Sequence, residues 1–223
     1  MPRESRIVIP GELFHLTQRG NYCQDIFDEV NDKIQYLKYF EKYSQKYKLD
    51  VFAYCLMDNH VYFIVRPFNK DSMAQTICRV YQRYSVYYHT KNKKRGHLWQ
   101  ERYYSCLLQG NHIKHAVRYV ECNPVRAKMV STAWEYDFSS ARAHLGKKYK
   151  LITLADISQY VDVLSWKKYL LKKEEENVLT QLHRATMKGL VLGLVEYVRF
   201  IEKQIGRKII KLPGRPKKRA CCH

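Results

Sequence analysis

Residues 54–65, Tyr-Cys-Leu-Met-Asp-Asn-His-Val-Tyr-Phe-Ile-Val, form an apolar run broken by one polar pair, and that break dictates how the chain can fold there. Asp58 and Asn59 both tolerate the positive φ of a tight turn, so Val51 to Met57 and His60 to Arg66 are expected to pair as a β-hairpin. Side chains alternate faces along a strand. His60, Tyr62 and Ile64 therefore share one side, while Val61, Phe63 and Val65 form the more apolar side that suits a core. A histidine is aimed off a rigid sheet.

The rest of the chain supplies partners for that hairpin. Leu13 to Arg19 alternates in the same way and is closed by Gly20-Asn21, which reads as a first strand. From Asp28 to about Tyr47, apolar residues Ile34, Leu37, Phe40, Tyr43 and Tyr47 recur at helical spacing. A second helical stripe, Met73, Ile77, Val80, Tyr81, Tyr84 and Tyr88, follows an N-cap at Asp71 or Ser72. His97 to Leu108 is strand-rich and aromatic. His112 to Asn123 is helical up to Pro124, which helps to terminate it. The order is β-α-β-β-α-β-α, an α+β layout with helices packed on an antiparallel sheet. A shift of composition near Gly146-Lys147-Lys148 sets a soft boundary. Beyond it lie a mixed-charge helix around Trp166 to Leu182 and an amphipathic one near Leu194 to Ile205.

Composition narrows the partner. The 223 residues, 46% of them apolar, are enough for a folded core. Forty Lys and Arg against 21 Asp and Glu give a net charge of +19, which favours a polyanion and above all nucleic acid. A solvated or membrane-attracted basic surface is the bland alternative. No apolar run approaches the ~20 residues of a membrane span. The first residues lack an apolar signal core, so a reducing, cytoplasmic setting is expected, with the seven cysteines as thiols. None has C-x-x-C zinc spacing. Cys55, Cys78 and Cys106 read as small core residues, and Cys221-Cys222-His223 as a frayed end rather than a soft-metal site.

Leu56-Met57-Asp58-Asn59-His60-Val61-Tyr62 resembles the H-U-H strand (U, hydrophobic) of the single-tyrosine insertion-sequence transposases, and the REP-associated branch in particular. The resemblance extends over Met1-Pro2-Arg3, Pro10-Gly11, His15 to Asn21, Gly96 to Arg102 and Arg118 to Ala127, in order, and so covers about the first two-thirds of the chain. It implies a ferredoxin-like HUH domain over 1–146, a C-terminal helical extension over 147–206 and a basic tail over 207–223. It implies further that Tyr119 is the nucleophile that attacks a DNA phosphodiester and becomes linked to the 5′ phosphate. Asn123, one helical turn later, would help His60 to hold Mg²⁺ or Mn²⁺, and residues four apart on a helix do share a face. The chain departs from the family at Tyr62, where the second histidine of the motif is expected. A neutral phenol is a poor ligand. Three readings stay open: an ion held by His60, Asn123, water and DNA; a replacement ligand such as His15 or His97; or a site that binds DNA without cutting it.

Other residues suit nucleic acid by type. Arg79, Arg83 and Arg95 line the second helix and its exit, Trp99 and Arg102 combine stacking with charge, and Arg118 and Arg126 flank Tyr119. Arg126 could grip a phosphate or pair with Glu121. Lys203 to Arg219 holds eight basic and no acidic residues, and Pro213-Gly214-Arg215-Pro216-Lys217-Lys218 resembles an AT-hook core. The leading expectation is a monomeric transposase acting on single-stranded or hairpin DNA. A hairpin-binding protein that has lost cleavage, or a binder of RNA hairpins, is the competing reading.

Overall fold

The computed structural model describes residues 6–147 and 151–209 and gathers the alternating segments into one five-stranded sheet. The strands are β1 (Leu13–Arg19), β2 (Leu49–Leu56), β3 (His60–Pro67), β4 (Tyr104–Leu108) and β5 (Val191–Leu192), in the spatial order β2-β3-β1-β4-β5. The first four pair antiparallel. With the helices α1 (Val30–Lys46) and α2 (Ser72–Asn92) they make the β-α-β-β-α-β unit and ferredoxin-like order expected from the sequence. β5 joins parallel to β4, which makes the sheet mixed.

Two layers cover the sheet, and the strand alternation decides which side chain meets which. α1 and α2 lie on the face of Phe14, Leu16 and Phe63, where Phe40 stacks on Phe63 with ring centroids 3.9 Å apart and planes 4° apart. Each such fully buried aromatic contributes roughly 1.5–3 kcal/mol. α1 begins at Val30 rather than Asp28, because the buried Asp32 carboxylate accepts the N–H groups of Asp28 and Glu29 at 2.9 and 3.0 Å and closes the first turn. The opposite face carries α3 (Asn111–Glu121) and, further along the chain, α7 (Glu176–Lys188), which packs on β4. Short helices α4 (Asn123–Arg126) and α5 (Ala141–His144), together with α6 (Val163–Leu170) and α8 (Val195–Ile205), complete the described chain.

Several expectations change. Neither Asp58 nor Asn59 takes a positive φ. Their turn is instead held by neighbours, with the Asp58 carbonyl accepting from the Ile26 and Phe27 N–H groups and the Asn59 carbonyl from Gly20. Residues 97–103 are a loop rather than strand, with a single antiparallel bridge from Trp99 to Gly20, and the Trp99 ring packs on Tyr81 of α2. The helix expected over Trp166 to Leu182 is two, α6 and α7, separated at 171–175. Cys78 is exposed on α2, whereas Cys55 and Cys106 are buried.

One polar node ties the layers together. The Glu121 carboxylate, fully buried at the end of α3, accepts Ser140 Oγ at 2.6 Å and Trp166 Nε1 at 2.9 Å and lies 2.6 Å from His144 Nδ1. Burial pushes the His144 imidazole down, but the field and hydrogen bond of Glu121 outweigh it and raise its pKa above 6.5. A raised folded pKa gives stability that is fully present below the unfolded value and lost as pH rises through the folded one. His144→Gln should therefore cost more stability at about pH 6 than well above the raised pKa, as read from urea midpoints. A pH-independent difference would contradict the charged pair.

Candidate nucleic-acid processing site

The face opposite the Phe63 core presents a row of rings. β1 pairs with β3 so that Thr17 faces Tyr62, Arg19 faces His60 and His15 faces Ile64. His60 and Tyr62 are nearly parallel with centroids 5.9 Å apart, and His15 continues the row 6.1 Å beyond Tyr62. Tyr119 descends from α3 and sets its ring edge-on to both His15, at 5.6 Å, and Tyr62, at 6.1 Å. Arg19 and Gln100 border the same cleft, and α7 roofs it with His183, Thr186 and Met187, leaving about 80 Å³ for water. The structure thus brings His60, Tyr62 and Tyr119 to one cleft.

Electrostatics keeps these groups neutral at pH 7. Burial, then Arg126 and His183, lowers the His15 pKa to about 3. Its Nδ1 lies 2.8 Å from Thr186 Oγ1, while Nε2 is buried without a partner among the described residues. Burial and Arg19 lower His60 to about 4, and its Nδ1 lies 2.5 Å from Asn59 Oδ1. Burial raises both phenols, with Tyr119 adding to the shift of Tyr62 and Arg126 opposing that of Tyr119. An attacking tyrosine here starts as the protonated phenol.

Arg19 is one cation of the site, its Nε donating to Gln100 Oε1 at 2.7 Å, and Arg126 is a second. Its guanidinium lies 4.2 Å from the centroid of the Tyr119 ring. Nη1 donates to Glu174 Oε2 at 2.6 Å, and Nη2 donates to the Tyr119 carbonyl at 2.5 Å and to Asn123 Oδ1 at 2.9 Å. The sequence offered Glu121 as its partner, but that carboxylate is committed to the buried node. Asn123 is also diverted. α3 ends at Glu121, Pro124 opens the separate turn α4, and the Asn123 amide folds back to donate to the Val120 carbonyl at 3.2 Å. It does not line the cleft.

A divalent ion, implied by the resemblance, does not fit this donor set. His60 and His15 stand on opposite sides of Tyr62 along the strands, too far apart to share one ion at the ~2 Å a metal–nitrogen bond requires. The Tyr62 phenol is held neutral, and the Asn123 oxygen is taken by a guanidinium. His97 is exposed in the loop after α2. Among the described residues no group of three His, Cys, Asp or Glu side chains is placed to hold a metal.

The other predicted contacts divide. Arg79, Arg83, Arg95 and Arg102 are exposed, but Arg79 and Arg83 lie on α2, in the layer across the sheet from Tyr119. Trp99 is no open stacking platform: it lies on Tyr81 at 4.3 Å and donates Nε1 to Ser85 Oγ at 3.1 Å. Arg118 is buried, donates to the Lys172 carbonyl and stacks 4.7 Å from the Tyr169 ring. Arg215, Lys217 and Lys218 lie outside the described residues. Sequence reasoning missed Glu174, His183, Thr186 and Met187, which no local pattern links to residues 60–126.

The site is thus a ferredoxin-like sheet that sets a histidine-bearing strand against a helical tyrosine. The IS200-like transposase model matches residues 12–123, and the chain belongs to that family. Among solved structures, a REP-associated tyrosine transposase bound to a REP hairpin superposes with a TM-score of 0.54 at 15% identity, over 70% of this chain and 93% of that one, and so has the same fold. A protein of Deinococcus radiodurans described as a transposase aligns over 54% of this chain and 96% of its own, at 15% identity and a TM-score of 0.37, too low to bear on the fold. No curated protein matches.

The Arg126–Glu174 pair is largely shielded, with side chains 25% and 14% exposed, whereas Arg142–Asp137 is 26% and 51% exposed. Arg126→Met leaves Glu174 without its cation and should cost about 3 kcal/mol, against at most about 1 kcal/mol for Asp137→Asn. Equal losses in denaturant titrations would show that Glu174 does not depend on Arg126.

Proposed function

We propose that this protein binds folded-back single-stranded DNA and processes it through Tyr119. The carrying observation is the edge-on contact of Tyr119 with Tyr62, 6.1 Å between centroids, which sets the family's nucleophile position against the motif strand. In the step this supports, Tyr119 Oη forms a bond to phosphorus, the bond to the 3′ oxygen breaks, and the phenolic proton is transferred in net to that departing oxygen, giving a 5′ phosphotyrosine and a free 3′ hydroxyl. Rejoining reverses it and needs no nucleotide cofactor. Family membership supports a transposase, and the hairpin bound by the structural relative makes a hairpin the first substrate to try. The charge of +19 supports a polyanionic partner.

The donor set favours one second reading, a recognition protein that binds the same DNA without cutting it. Two half-buried, protonated phenols and a committed Asn123 leave little to activate a phosphodiester. A 3′-labelled hairpin DNA incubated with the protein and Mn²⁺ and resolved on a denaturing gel separates the two. Cleavage predicts a covalent adduct that Tyr119→Phe abolishes while hairpin affinity changes less than about twofold. An adduct that survives Tyr119→Phe would reassign the nucleophile, and binding without any adduct would establish the recognition protein.

A further inference from the structure

Beside the tyrosine cleft lies a larger groove of about 400 Å³, between the loop leading into β4 and the C-terminal end of α7. Arg6, Arg102, Lys188 and Arg207 line it, and the one carboxylate in its wall among the described residues, Glu101, accepts the Tyr104 hydroxyl at 3.2 Å. Tyr104, Thr186 and Met187 line both this groove and the cleft that holds Tyr119, so the two adjoin across these three side chains. We propose that this groove is the track along which single-stranded DNA reaches Tyr119, an inference that rests on the DNA function proposed above and names the path its substrate takes.

The chemistry fits an extended polyanion. Phosphates would meet cations on both sides of the groove, Arg102 from the loop before β4 and Lys188 from the end of α7, and counterion release would drive binding. Arg6 is already fixed there: its guanidinium lies 3.8 Å from the Tyr103 ring centroid and donates from Nε and Nη2 to the Tyr103 carbonyl at 3.1 and 2.9 Å. Fixing that side chain before DNA arrives lowers the ordering cost of binding. The volume suits a ligand of nucleotide size, since small-molecule sites span about 300–1,000 Å³. The cleft of about 80 Å³ beyond it is too small for paired bases. A duplex is excluded from this approach, and a backbone phosphate is the part of the strand that reaches the tyrosine.

The groove also gives the C-terminal segment a part in substrate binding. Arg6, Lys188 and Arg207 all lie outside the residues 12–123 that the family model matches. Three of the four described cations of the track therefore lie outside the part of the chain that the family model matches.

The test compares the protein with an Arg102→Ala/Lys188→Ala variant, both substituted residues being exposed. Fluorescence anisotropy would follow three DNAs from ~50 to ~200 mM salt: a blunt hairpin, the same hairpin with a single-stranded extension, and an unstructured strand. The track predicts that the variant loses the gain conferred by the extension and weakens on the free strand. Its slope of log affinity against log salt should fall by about 1.4, at roughly 0.7 per phosphate contact on single strands. The blunt hairpin should bind nearly as before, and Lys168→Ala, exposed on α6, should behave as the unsubstituted protein. Equal losses on blunt and extended hairpins, or none on the extension and free strand, would overturn the track. Tighter binding of a matched RNA strand would overturn its assignment to DNA. Failure to bind the blunt hairpin alone would count against the hairpin function and leave the free-strand result to decide the groove.

Discussion

The antiparallel pairing of β1 with β3, from Phe14 opposite Val65 to Arg19 opposite His60, is the constraint on which the site depends. Strand side chains alternate with period two, so a slip of one residue would turn His60 and Tyr62 into the aromatic core and expose Phe63. The register is pinned at the turn. Gly20 N–H donates to the Asn59 carbonyl at 2.9 Å, Ile26 N–H to the Asp58 carbonyl at 2.8 Å, and Lys33 Nζ reaches Asp58 Oδ1 at 2.7 Å. Gly20 is required by this approach, because a Cβ there would meet Ile26 Cγ2 at 2.8 Å and the Gln24 carbonyl still closer. Backbone packing thus aims His60 and Tyr62 at the cleft before any ligand is considered.

Within that frame, Tyr62 decides the chemistry. It stands between His15 and His60 and keeps the two imidazoles apart. The surrounding burial holds imidazoles deprotonated and phenols protonated, so the rings themselves contribute little charge. The positive charge comes from Arg19 at the end of β1 and from Arg126, stacked on Tyr119 and anchored by Glu174 from the segment between α6 and α7. Chain far from the motif strand thereby sets the electrostatics around the candidate nucleophile.

This dependence explains what could and could not be read from the sequence. Strand alternation at 13–19 and 60–66 and the stripes of α1 and α2 are local patterns, and they led to the α+β layout with an antiparallel sheet and to the face that carries His60. The resemblance led to the ferredoxin-like arrangement and to Tyr119. The fates of Arg118, Arg126 and Trp99 depend instead on the Lys172 carbonyl, Glu174 and Tyr81, and residue type alone cannot distinguish a phosphate-binding arginine from one committed to a distant carbonyl. Asn123 misled for a different reason: helical spacing from Tyr119 presumes one continuous helix, and Pro124 begins a new turn there. The positive φ expected at Asp58 and Asn59 was unnecessary once neighbouring N–H groups held the turn.

The central claim is that Tyr62 leaves the motif strand without a divalent-ion site. Calorimetric titration of Mn²⁺ into the protein without DNA, beside Tyr62→His, tests it most directly. The account predicts no stoichiometric heat from the unsubstituted protein and a measurable single site once the second imidazole stands beside His60. One-to-one binding by the unsubstituted protein, lost on His60→Ala, would contradict it.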